Sequence, residues 1–523
     1  MHSRILLGVG LLGLVGCGVF GSDSTSDPAP VAATPEPPAA TDDGGLPEGA
    51  PPPAVGTPAN NELTNEYGVF VSAAAPAGGD GTLERPFATI SAGIERVKDL
   101  KLRVYVCAGT YKEALALVNA VSVIGALSCD GGVWQTGGAR VVLQAPTSPA
   151  IRAKDIALAT RLEGFDVTAP AGTAMAPNSI AFIAENATML TVANTKLTSA
   201  KAFDGADGTT AAQLTAGTTT AGGNGLPFSA ALANPITGPR PQLGAAGGIG
   251  TCGGAPGHDG ENGKKGGTGA IELCEQFTHI ATGQVDWQWV PYTRGGVVYT
   301  RSDGVPGTGA AGIPGSDGAS ASTYGGFTPE GYAPRDGTAG VDGAPGLGGG
   351  GGNAAPTNFG AQCGSANVGN IIYDASGAGG GAGGCPGLAG KPGNGGGASI
   401  AALVFASPGL SLTGCDLVAG DGGKGGSGAF PSAPTPGGNP GIGPSGTTAA
   451  LGGGAGGRAG FSGNGAGGPS VALAYTGGNI VAAQDTHLTP GTAGVGVAAR
   501  TNASTNVTIP ASASGPAMAT LAF

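Results

Sequence analysis

The sequence predicts an all-β chain, a solenoid of short stacked strands with one helix near its start and long glycine-rich insertions. Three observations point there. Aligning Ser179, Ser399 and Ser470 superposes SIAFIAENATMLTVANTKLTSA, SIAALVFASPGLSLTGCDLVAG and SVALAYTGGNIVAAQDTHLTPG, with apolar residues at matching places and the endings Leu197, Leu417 and Leu488. A further ending of this kind, GFDVTAP, occupies 164–170. Each unit holds two short alternating strands, too little to bury its own apolar face, so the units must stack. The copies are separated by very unequal lengths, as expected where insertions leave the stack at a corner and return to it. Finally, 107 glycines and 40 prolines in 523 residues are a low-complexity composition. Yet 40% of the residues are hydrophobic, which a chain disordered throughout does not contain. A β-sandwich, which also has short strands at regular spacing, is the alternative.

The elements follow in chain order. Residues 1–17 open with MHSR and the apolar run ILLGVGLLGLVG before Cys17, the pattern of a secretory signal and too short to span a membrane. Leu14, Val15, Gly16 and Cys17 resemble the bacterial lipobox, which implies acylation of the Cys17 thiol and attachment to a membrane through several acyl chains. Gly18 follows Cys17 where an aspartate would favour inner-membrane retention, so the expected location is the outer membrane or cell surface. Residues 18–60 are a Pro/Ala-rich stalk; extended at about 3.1 Å per residue, it reaches more than ~100 Å. The net charge of −11 argues against a nucleic-acid partner, which requires a basic face.

Residues 61–203 form an ordered module. Val69 and Val71 alternate with Phe70 in a strand, AAAPAGGDG is a turn-rich loop, and Ile90, Ile94 and Val97 share one helix face behind an N-cap at Thr89 or Ser91. A second strand starts at Arg103. These segments, with GTYKEAL at 109–115, VSVIGALSC at 121–129 and Trp134, resemble the N-terminal module of pectin-lyase-like proteins, particularly bacterial surface lipoproteins. The resemblance covers about 70 residues and implies a right-handed parallel β-helix whose N-terminal end the helix caps.

Glycine-rich insertions occupy 204–397 and 422–468, flanking a coil at 398–421 and followed by C-terminal coils at 469–523. Glycine recurs every third residue at 254–269, 337–352, 381–396 and 454–463. Collagen needs longer runs, three chains and more proline. A polyproline II helix has three residues per turn, so such spacing leaves one edge bare for another backbone, and every buried amide then needs a neighbour. The segments resemble the polyglycine II bundles of some phage adhesin tips and glycine-rich antifreeze proteins, and mycobacterial glycine-rich repeats. A flexible loop is the alternative, because glycine loses most entropy on ordering.

Apart from Cys17 there are seven cysteines, and Cys107/Cys129, Cys252/Cys274 and Cys363/Cys385 share a spacing of 22. Outside the cytoplasm these six are expected to form disulfides, with the connectivity left open. Paired within each spacing, they would close loops worth about 3 kcal/mol each. Cys415 remains as a small buried side chain.

No catalytic constellation emerges, and no cofactor or metal is expected. His2, His258, His279 and His487 lack ligand spacing, and neither a nucleophile elbow nor a phosphate loop is present. Asp80, Asp259, Asp317, Asp342 and Asp421 lie beside glycines without a nine-residue period, which reads as turn formation. Asp155, Arg161, Glu163 and Asp166 are the only candidates for a polysaccharide lyase or hydrolase, and read as a solvated outer face. Trp287 and Trp289 alternate in QVDWQWVPYTRGGVVYT, a hairpin turning at Arg294–Gly296, with Tyr292 and Tyr299 nearby. Exposed, the tryptophans would bind a sugar or protein; buried, the reading preferred here, they are the hairpin core. The expected function is non-catalytic adhesion or scaffolding at the cell surface, toward polysaccharide, matrix or a surface protein. A β-helix polysaccharide-processing enzyme and a passive surface coat are the alternatives.

Overall fold

The computed structural model describes residues 56–523, except 101, 218–219, 228, 232–241, 254–256, 295, 356–362, 366–370, 479 and 483–484. The signal segment, Cys17 and stalk residues 18–55 lie outside the described residues. The strand Gly68–Val71 is wholly buried and pairs in parallel with Arg103–Cys107. The helix Ile90–Val97 starts at Thr89, whose Oγ1 accepts the Ala92 N–H at 3.3 Å, and it buries Ile90, Ile94 and Val97. The Glu113 carboxylate takes the next donors, the N–H groups of Ile90 and Ser91, at 2.8 and 3.0 Å. A Cβ at Gly93 would overlap Val71 and Val104, so glycine is what lets the helix lie flat on the sheet.

From Arg103 the strands are dealt to three parallel sheets in rotation. Arg103–Cys107, Thr110–Tyr111 and Leu115–Leu117 begin the cycle, and Thr160–Glu163, Phe165–Thr168 and Ser179–Glu185 repeat it two tiers on. Ser179 pairs with Ser399 and Ser399 with Ser470; Leu197 pairs with Leu417 and Leu417 with Leu488. The internal repeat is therefore the physical register of the sheets. Leu143, Leu162, Phe165, Val192, Leu197, Leu412 and Leu417 fill one core between them. The aligned serines are buried for a reason that hydrophobicity does not supply. Ser399 and Ser470 donate to the corner carbonyls of Ala200 and Gly420, at 2.8 and 2.7 Å. Ser179 and Ser470 accept the N–H groups of Ala200 and Gly491, each at 2.8 Å. Each hydroxyl thus satisfies a backbone group that the turn removes from the ladder.

The expectation of a single right-handed parallel β-helix is corrected. The described strands fall in seven sheets, some parallel and others antiparallel, with one short helix. The rotation breaks after Lys196–Thr198 and resumes at Ser399–Phe405; between them lie antiparallel strands and long glycine segments outside any ladder. The physical reason is that glycine segments carry no apolar face to stack, so they pair backbone to backbone instead.

The wholly buried segment 377–387 shows how. Its N–H groups point three ways: Gly377, Gly380 and Gly383 donate to Gly267, Lys264 and Glu261; Gly379 and Ala382 to Gly223 and Thr220; Gly381, Gly384 and Gly387 to Leu451, Gly454 and Gly457. Its carbonyls accept from three other segments, through the N–H groups of Gly346, Gly349 and Gly352, of Thr435, Gly438 and Gly441, and of Ala245 and Gly248. All these bonds measure 2.7–3.1 Å and recur every third residue, so one extended rod is surrounded by six. The interior of this bundle is peptide backbone.

Three disulfides cross-link the described chain. Cys107–Cys129 joins adjacent tiers of the first parallel sheet, with Cα atoms 5.8 Å apart. The other two bridges are Cys252–Cys385 and Cys274–Cys363, with Cα separations of 5.6 and 5.4 Å. Bridges within the spacing of 22 do not form there, because the rods bring Thr251 and Cys252 beside Cys385. Cys415 is free and buried, its Sγ donating to the Val192 carbonyl at 3.3 Å; burial pushes its thiol pKa up.

Candidate functional site: an aromatic sheet face

Trp287 and Trp289 lie on the strand Val285–Pro291, the edge of a four-stranded antiparallel sheet. Its neighbour is Ile271–Thr278, which pairs in turn with Ile371–Tyr373. The sheet grows directly out of the bundle, since glycine segments precede Ile271 and follow Tyr373. Its base is fixed by Asp374, which is fully buried. Asp374 Oδ2 accepts Arg301 Nε and Nη2 at 3.0 and 2.8 Å and the Ala270 N–H at 3.2 Å. One carboxylate thereby joins the residue before the first strand, the residue after the aromatic hairpin and the residue leading into the central rod.

Cross-strand pairs are Cys274 with Trp289 and Gln276 with Trp287, so both indoles share a face with the Cys274–Cys363 bridge. Both are partly buried, so each indole keeps part of its surface open to solvent. The hairpin turns as expected, with Thr293–Arg294 pairing Val297–Val298. Tyr292 and Tyr299 stack at its root with ring centres 6.4 Å apart and planes at 23°. Val285, Val297 and Val298 are exposed around them. The face is a partly exposed aromatic and aliphatic surface on a cross-linked sheet, suited to stacking.

The other sequence candidates are dispersed. Glu163 is buried, and its Oε2 receives Arg161 Nε at 2.5 Å while Oε1 accepts Thr57 and Asn194 at 2.7 and 3.1 Å. Burial alone would raise its pKa, but these three donors outweigh it and hold the carboxyl below the usual range. Asp166 lies on a different sheet, and Asp155 Oδ1 accepts Asn186 at 3.0 Å. They make no acid pair. Among the described residues no group of three His, Cys, Asp or Glu side chains is placed to hold a metal ion, and no helix is long and apolar enough to cross a membrane.

Of the glycine-flanked aspartates, Asp80 and Asp259 serve local turns, accepting the Thr82 N–H at 3.1 Å and the Cys252 N–H, seven residues away, at 2.8 Å. Asp317, Asp342 and Asp421 instead reach other segments, accepting the N–H groups of Phe461, Ala389 and Thr492 at 3.2, 2.7 and 2.9 Å. They satisfy donors at the rim that no rod faces. Hydrogen bonds from the Thr492 hydroxyl and N–H hold Asp421 below its ordinary pKa, as the Lys264 ammonium and Gly348 N–H do for Glu261. At Asp204 burial opposes, but is outweighed by the Lys424 N–H and Lys201. A depressed carboxylate contributes stability above its unfolded pKa and loses it as the pH falls through the folded value. Thermal unfolding followed by circular dichroism should therefore show a midpoint nearly constant above about pH 5 and falling below about pH 4.

Comparisons with protein-family models, with curated proteins and with solved structures return no match.

Proposed function

We propose that this chain is a non-catalytic binding scaffold displayed at the bacterial cell surface, held there through acylated Cys17, and that its aromatic sheet face contacts polysaccharide. The observation that carries this reading is the placement of Trp287 and Trp289 side by side, half-exposed, on an edge strand braced by a disulfide and a buried ion pair. Indole faces stack on the C–H faces of sugar rings, and a rigid base lets them do so with little ordering cost. Among the described residues the carboxylate next to Trp287, that of Asp286, is engaged by His279 at 2.8 Å, which favours retention of the ligand over cleavage.

The test uses oxidised full-length protein and a panel of insoluble bacterial and plant polysaccharides, measuring the bound fraction and the chain length of the glycan. Retention without shortening is expected, with at least a tenfold loss in the Trp287→Ala/Trp289→Ala double variant. Shortened chains would replace this reading with an enzyme, and equal retention by the double variant would remove the tryptophan face from it.

A further inference from the structure

A cavity of about 700 Å³ opens where the hairpin Gly326–Thr328/Gly331–Ala333 meets the end of the chain. It is built on fixed elements. The hairpin is docked on the parallel sheets by Arg152, which donates to Pro329 O at 2.8 Å, and by Asn178, which donates to Tyr332 O at 2.6 Å. The buried Tyr332 hydroxyl accepts the Gly325 N–H at 2.7 Å, fixing the segment before it. Phe327 stacks on Phe523 with ring centres 4.5 Å apart, and Phe405 abuts Phe523 edge-on at 5.3 Å.

The lining combines aromatic residues, Tyr324, Phe327 and Phe523, with the polar Thr323, Arg335 and Asp336. Asp336 Oδ1 accepts the Gly395 N–H at 2.6 Å, which orients the carboxylate, and Oδ2 makes no hydrogen bond among the described residues. Among the described residues, the Arg335 guanidinium and the hydroxyls of Tyr324 and Thr323 make no hydrogen bond. Planar donors and acceptors in one cavity with aromatic rings match a sugar, whose C–H face is apolar and whose vicinal hydroxyls bond in pairs to guanidinium and carboxylate. A second cavity, of about 320 Å³, adjoins across Pro334 and Asp336 and contains Phe203 and Asn394. Two cavities that share Pro334 and Asp336, each with aromatic lining, suit a chain of sugars better than one ring. The net charge of −11 disfavours a polyanionic chain.

We infer that this double cavity is an oligosaccharide site for a neutral glycan, separate from the tryptophan face and independent of it. Arg335 and Asp336 read hydroxyls at the junction while Tyr324 and Phe327 stack.

Calorimetric titration of the oxidised full-length protein with cellotriose, xylotriose, maltotriose, chitotriose and trigalacturonate tests it. At least one neutral trisaccharide is expected to bind, at least tenfold more weakly to Arg335→Ala and to Tyr324→Ala, and unchanged in Trp287→Ala/Trp289→Ala. Arg335 is exposed, so its replacement leaves the thermal midpoint in place and reads recognition rather than folding. Absence of binding by every neutral probe, binding of trigalacturonate alone, or wild-type affinity in Arg335→Ala would each overturn the inference. Loss of polymer retention in the tryptophan variant with trisaccharide binding intact would identify the two sites as distinct.

Discussion

Replacing Gly380 by alanine is expected to destabilise the glycine-rich bundle by at least about 4 kcal/mol, the range reserved for changes that break a packed interior. Gly380 lies in the buried rod with six neighbours, and a Cβ there would overlap the carbonyl of Gly349. That carbonyl cannot simply retreat, because the Gly349 N–H is bonded at 2.8 Å to Gly381 of the same central rod. Moving either rod breaks bonds on its far side as well, so a single methyl is felt across the bundle. Gly364→Ala is the control: a Cβ there meets nothing within 4 Å among the described residues, and a change within about 0.5 kcal/mol is expected. Denaturant unfolding of both variants decides the matter. Equal stability would mean that the rods are not packed backbone to backbone.

The second large effect concerns the two long-range disulfides. Cys252–Cys385 closes a separation of 133 residues and Cys274–Cys363 one of 89. In the chain-entropy model each restricts the unfolded state by about 5 kcal/mol, against about 3 kcal/mol for loops within the spacing of 22. Cys252→Ser/Cys385→Ser is expected to lose most of that amount, because its bridge fastens the central rod itself. Cys274→Ser/Cys363→Ser should in addition loosen the aromatic sheet and weaken polysaccharide retention. Denaturant midpoints of the two double variants, and peptide mapping of the non-reduced protein for the 252–385 and 274–363 linkages, provide the check. Mapping of 252 to 274 would contradict the arrangement of the rods.

What could be read beforehand depended on whether the signal was local. The Thr89 cap, the face of Ile90, Ile94 and Val97, and the register of Ser179, Ser399 and Ser470 were legible because side-chain spacing sets them directly. The pairing of the cysteines was not. A count of 22 along the chain says nothing about which rods lie side by side, and the backbone bonds that decide this leave no trace in side-chain pattern. The same blindness affected the aspartates: Asp342 looks like a turn residue from its neighbours in sequence, whereas its partner is Ala389. Alternation revealed the tryptophan face, but ELCEQFT at 272–278, too polar to stand out as a strand, is what supports it. The double cavity beside Phe523 draws on Phe203, Tyr324 and Arg335 as well, which no window of sequence brings together.

A core made of peptide groups has a thermodynamic consequence of its own. Hiding apolar surface gives unfolding its large positive heat capacity, whereas exposing peptide groups contributes with the opposite sign. Around residues 377–387 almost everything concealed is amide, carbonyl and Cα. This part of the molecule therefore unfolds with a small heat-capacity change for its size, and its stability varies with temperature along a flatter curve. The tiers of leucine and valine beside it lose strength on cooling as hydrophobic contacts weaken; the glycine rods, held by hydrogen bonds, lose little. One polypeptide thus joins two materials with different responses to cold.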